Sequence, residues 1–163
     1  MTEIAGLRAA YETLFDEARS IRADGEADPA PGEWTAAQVL AHVSLVSAIT
    51  IEAACSVTSG TVSAYDNRAA QDAWTIRRTI DRIGGIEQLV ARIAGQADAL
   101  CALAAGLTDA ELATPVPTVL VSHDTLLVDE VLPLRDLIDG LAGNELPGHT
   151  GQLRALRQPA RVG

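Results

Sequence analysis

The chain has three histidines, few enough that each can be weighed as a metal ligand or proton carrier. His149 follows Glu145 by four residues, so on a helix both side chains leave the same face. Leu153 and Leu156 continue that face, which turns it inward. On a helix surface such an i,i+4 carboxylate–imidazole pair is worth only a few tenths of a kcal/mol. An apolar face weakens that ordinary reading, because a buried carboxylate needs a cation or hydrogen-bond donors. Arg154 and Arg157 are the only basic residues close by in sequence, and both sit off this face.

His42 has Gln38, Val39, Leu45 and Val46 as its helical neighbours, with Ile49 one turn on. It points toward the core or its edge, and alone it reads as a core histidine with one hydrogen-bonded nitrogen. Together, His42, Glu145 and His149 make a set of two imidazoles and one carboxylate. Catalytic zinc commonly keeps three protein ligands and one open position. The same donors suit non-haem Fe(II) and Ni(II). His123 sits beside Asp124 in an expected hairpin turn and reads as a solvated turn residue. A mobile acid–base role for it is the alternative, and nothing in the sequence places it near the other two histidines.

The remaining candidates carry less. Arg77, Arg78 and Arg82 share one helix and read as a solvated, salt-bridged face, with a carboxylate anchor as the alternative. Trp34 reads as a helix staple and Trp74 as a core residue; either could line a pocket. Cys55 and Cys101 lie in alanine-rich stretches and read as small buried hydrophobes. Tyr65, Asp66 and Asn67 read as turn and cap residues.

These groups need a scaffold, and the scaffold reads as mainly α. Leu7, Ala10, Tyr11, Leu14, Ala18 and Ile21 form one apolar stripe in a helix over 3–23. Residues 24–32 have loop composition. Thr35 with Gln38 predicts a capping box opening a second helix that runs to about Val57. A third helix is predicted from an Asp66 cap to Ile83, ending at Gly84-Gly85. A fourth is predicted over 86–105, with Gly106 as its C-cap. Thr108 and Glu111 form another capping box with room for one or two turns. The β-branched run from Pro115 to Val131, interrupted at Ser122-His123-Asp124, predicts a short hairpin. A last helix follows Pro133 to about Arg157, with Pro147-Gly148 expected to kink or loosen it. The simplest assembly is a single-domain four-helix bundle over 1–163 with a short β-hairpin before the last helix.

Composition narrows the function. The 163 residues carry 22 acidic and 12 basic groups, a formal charge of −10, which disfavours nucleic acid and anionic lipid as partners. Every basic residue is arginine, which excludes Schiff-base chemistry, a lysine general base and a Walker A loop. Two cysteines are too few for a disulfide framework. No signal peptide or membrane span is expected, so a reducing cytoplasm is the simplest location.

The run Trp34-Thr35-Ala36-Ala37-Gln38-Val39-Leu40-Ala41-His42 resembles the motif opening the second helix of the DinB-like superfamily. The run Glu145-Leu146-Pro147-Gly148-His149-Thr150-Gly151-Gln152-Leu153 resembles its last-helix motif. The resemblance implies a four-helix bundle with a divalent metal between helices. Many members place a histidine where Glu145 stands. The branch typified by mycothiol-dependent maleylpyruvate isomerase uses a His-Glu-His set, which maps to His42, Glu145 and His149. That isomerase carries a second domain, so the metal set carries over better than the substrate does. The expected function is a divalent-metal enzyme, a thiol-dependent S-transferase or isomerase acting on a small electrophile. Its cofactor would be Zn2+, with Ni2+ or Fe2+ as alternatives, and a low-molecular-weight thiol such as mycothiol would be co-substrate. The competing readings are a non-enzymatic bundle binding a metal or small ligand, and a vestigial site. A small molecule is the expected partner, with a homodimer left open.

Overall fold

The computed structural model describes residues 2–158, with side chains from Ala5 onward. Helix α1 (Thr2–Asp24) buries Leu7, Tyr11, Leu14, Ala18 and Ile21, the stripe expected from their spacing. Helix α2 (Ala36–Thr58) opens on the predicted capping box. The Thr35 hydroxyl accepts from the Gln38 N–H at 3.3 Å, and the Gln38 side chain accepts from the Thr35 N–H at 2.8 Å. A third donor of that first turn, the Ala36 N–H, binds the Glu26 carboxylate at 2.7 Å.

The expected third helix divides into three pieces. Tyr65–Asp66 form strand β1, Arg68–Gln71 the one-turn helix α3, and Ala73–Ile83 helix α4. The true α4 cap is Asp72, whose carboxylate accepts from the Thr75 N–H at 2.8 Å. Asp66 instead binds the Arg68 backbone and guanidinium. Tyr65 and Asp66 pair in parallel with the later hairpin, a long-range contact that local spacing does not encode.

Gly84, at φ 115°, ends α4, and Gly85 caps helix α5 (Ile86–Gly106). Gly106 is the last helical residue and not the cap; Leu107 takes that place in extended backbone. The second capping box, Thr108 with Glu111, starts the single turn α6 (Asp109–Leu112). Strands β2 (Pro115–Ser122) and β3 (Thr125–Pro133) form the expected antiparallel hairpin. Its turn residues His123 and Asp124 have φ of 48° and 60°, the left-handed pair that a two-residue hairpin turn demands.

The last helix is interrupted, and the interruption has a specific form. Helix α7 (Leu134–Gly140) runs into a π-helical turn (Leu141–Glu145) and resumes as α8 (Leu146–Leu156). The Leu146 N–H reaches five residues back to the Leu141 carbonyl. Pro147 has no N–H, and its ring would press on the Gly143 carbonyl in a regular α-turn. The wider turn just before it relieves that conflict.

Four long helices close a ring: α1 packs on α5 and α8, and α2 packs on the same two. Helices α3 and α4 lie against α2, and α7 meets the hairpin. This is the mainly α architecture expected, with a three-stranded sheet where a hairpin was anticipated. By length and composition α2 and α5 are long and apolar enough to cross a membrane, but they pack on each other in the bundle. Trp74, expected in the core, is 63% exposed and carries the Arg78 guanidinium over its ring. The residue that α4 buries instead is Ile76. Cys55 is also exposed, because it lies on the side of α2 opposite buried Ala53 and Val57; Cys101 is buried as expected.

Candidate metal centre

The bundle brings His42, Glu145 and His149 together across 103 residues of chain. One ligand atom from each lies within 4.8 Å of the other two. The His42 Nε2 is 2.8 Å from Glu145 Oε1, and the His149 Nε2 is 3.1 Å from the same oxygen. Bonds of about 2.1 Å to a tetrahedral zinc would set ligand atoms about 3.4 Å apart. The three side chains are therefore already on the scale of one coordination sphere.

The outer nitrogens decide what the inner ones can do. The His42 Nδ1–H donates to the Ala70 carbonyl at 2.8 Å, an unpaired helix-end group of α3. The His149 Nδ1–H donates to the Gln152 side-chain oxygen at 2.7 Å. In the neutral rings this leaves both Nε2 atoms as lone pairs aimed at Glu145. Two lone pairs and a carboxylate repel unless protons or a cation lie between them. An outer acceptor that holds each Nδ1–H is the usual support of a metal-ligating histidine. The donor set therefore fits a divalent ion.

Burial pushes the Glu145 carboxyl up, but where protons rather than a cation occupy the two Nε2 atoms, hydrogen bonding and charge from His149 and His42 outweigh it. The net result is a carboxyl held well below the usual range. His42 is fully buried and its ring touches Trp34, with centroids 5.1 Å apart. Glu145 keeps a side-chain exposure of 35%, so the site has one open side.

That side meets two cavities. One of about 310 Å³ is walled by Leu120, Leu127, Leu132, Leu137 and Leu141 and reaches Glu145 and His149. The other, of about 210 Å³, lies between Trp34, His123, His149 and Gln152. His123, left unplaced by the sequence, thus stands on the rim of the site, on the hairpin turn. Its Nδ1 is 3.0 Å from the Ser122 hydroxyl. Arg77, Arg78 and Arg82 line neither of these two cavities.

Of three supporting residues, Gln152 and Ala70 had no role of their own in the sequence reading, and Asn67 was read only as a turn or cap residue. Gln152 was legible in principle, as the i+3 neighbour of His149 on the same helix. Ala70 was not, because only its backbone matters. Asn67 bridges the site to the hairpin: its amide donates to the Val121 carbonyl at 3.1 Å and accepts from the Val121 N–H at 2.8 Å. Asn67 follows β1 directly, so its side chain continues that strand's pairing along β2 beyond Val119. Tyr65, on the larger cavity, hydrogen-bonds Thr50 at 3.1 Å. Burial is the main force pushing its phenol up to about 12, so it stays protonated.

A family model described as the DinB superfamily matches residues 4–132. The chain belongs to the DinB superfamily. The matched segment contains His42 and ends before α7, so Glu145 and His149 enter the site through geometry. No curated protein and no solved structure matches the chain. For this DinB-superfamily bundle, the resemblance seen in the Trp34–His42 motif is upheld at the level of the family and fold.

Proposed function

We propose that this protein is a divalent-metal enzyme, an S-transferase or isomerase that joins a small thiol, or water, to a small electrophilic substrate. The single observation that carries the reading is the convergence of His42 Nε2, Glu145 and His149 Nε2 with both outer nitrogens already engaged. Zinc is the ion of choice, with nickel or iron(II) compatible with the same donors. A bound divalent cation supplies the charge that stabilises thiolate or hydroxide at neutral pH.

The protein residues do the rest. His42 and His149 present lone pairs from fixed rings, and Glu145 adds a negative charge from the more exposed side. The leucine wall of the larger cavity excludes water from an apolar part of the substrate. His123 stands where it can exchange a proton with a reacting group in the smaller cavity. A reducing cytoplasm suits a thiol co-substrate and two free cysteines.

Elemental analysis of the purified protein tests the reading, beside a His42→Ala/His149→Ala variant. About one zinc, nickel or iron per chain in the parent and none in the variant is the expected result. Turnover of a thiol with an electrophilic acceptor then separates an enzyme from a binding module. Metal bound without turnover of any thiol would favour the module, and no metal in the parent, even after incubation with each ion, would defeat the enzyme and leave a small-ligand bundle with a vestigial site.

A further inference from the structure

Both cavities flank the histidine–glutamate group, and they share Gln71, Val121, Ser122 and His149. Their charged lining has one sign. Asp136 lines the larger cavity beside Glu145, and Glu33 and Asp124 line the smaller one. Among the described residues no arginine lines either cavity, and the chain contains no lysine. Two arginines adjoin lining residues in sequence: Arg68 is turned onto Asp66, with its Nε 3.0 Å from both carboxylate oxygens, and Arg135, next to Asp136, lines neither cavity. The rest of the larger cavity is mainly aliphatic, with Tyr65, Asn67, Gln71, Ser122 and Asn144 as its uncharged polar residues.

We infer that this site selects uncharged or cationic ligands, amphipathic ones with an apolar face, and rejects anionic ones. The inference rests on the metal reading and narrows it to a substrate class. A divalent ion offsets the Glu145 charge, but Asp136, Glu33 and Asp124 remain to repel an anion entering by either cavity. A carboxylate-bearing substrate would have no guanidinium to meet it. A neutral ligand can set its apolar part on the leucines and take hydrogen bonds from the Gln71 and Asn144 amides.

Cobalt(II)-loaded protein provides a readout independent of turnover. Three thiols on one skeleton are titrated: 2-mercaptoethanol, 2-mercaptoethanesulfonate and thiocholine. Their sulfur-to-cobalt absorption gives each affinity. The comparison is with the Asp136→Asn/Glu33→Gln/Asp124→Asn variant, whose fold is checked by circular dichroism. Using the ratio between proteins cancels the intrinsic differences among the thiols. The parent should disfavour the sulfonate against the alcohol by about fivefold more than the variant does, and raised salt should shrink that gap. Thiocholine should shift in the opposite direction. Equal discrimination in parent and variant would overturn the inference while leaving the metal site standing. No cobalt absorption in the parent at all would instead break the metal reading, and the inference with it.

Discussion

Two carboxylates flank the last helix, and they meet opposite chemistry. Glu17, on α1, faces Arg154 at 2.8 Å and Arg157 at 3.9 Å on the outer side of α8. Glu145, at the end of the π-helical turn, faces the imidazoles of His42 and His149. Glu17 is the more buried, with 13% side-chain exposure against 35%. Burial alone would therefore single out the wrong residue. Guanidinium groups stay charged and only donate, so Glu17 sits in a clamp between helices. Neutral imidazoles whose Nδ1–H is already used can only accept, so Glu145 sits in a ligand set. The partners' free lone pairs, not the depth of the acid, distinguish a site from a strut.

Substitutions break this comparison most sharply at the metal. The His42→Ala/His149→Ala variant should lose all bound metal, and Glu145→Gln most of it, while Glu17→Gln keeps the parent's content; elemental analysis reads all three. Loss of metal from Glu17→Gln would erase the distinction drawn between the two acids. Lowering the pH should strip the metal from the parent, since protons compete for the imidazole lone pairs. Dialysis against buffers of falling pH, followed by metal analysis, checks the sign.

A second test leaves the ligands in place and removes a support. Gln152→Leu frees the His149 Nδ1–H and should weaken metal affinity by about 10- to 100-fold. Competition with a chelator of known affinity measures it, and an unchanged affinity would mean that the outer hydrogen bond is idle. Asn67→Ala should cost about 1 kcal/mol in urea unfolding, because the half-buried N–H and C=O of Val121 lose their partners. Its effect on metal should be small, since Asn67 holds the hairpin and not a ligand. The smallest effect belongs to the clamp. Glu17→Gln should lower stability by about 0.5–1 kcal/mol, as both arginines remain half-exposed and solvated.

Much of this molecule was readable along the chain. The stripe of α1, both capping boxes, the Gly84-Gly85 break and the hairpin with its turn at His123-Asp124 are local features. The misreadings have one cause. Asp66 looked like a cap because its partner strand lies more than fifty residues away. Trp74 and Cys55 looked buried because helix periodicity names an apolar face but not which neighbour covers it. Pro147 announced a disturbance, and its form as a π-turn ahead of the proline depended on the whole helix.

The same division holds at the site. Residue types and one helical spacing determined Glu145 and His149 as a pair on an inward face, and marked His42 as a buried imidazole. Only tertiary structure could put His42 against that pair, lend it the Ala70 carbonyl, and fold the hairpin so that His123 reaches the rim. Helical spacing is written in bonds three and four residues apart, whereas a coordination sphere and its cavity are closed by packing between segments that the chain itself keeps far apart.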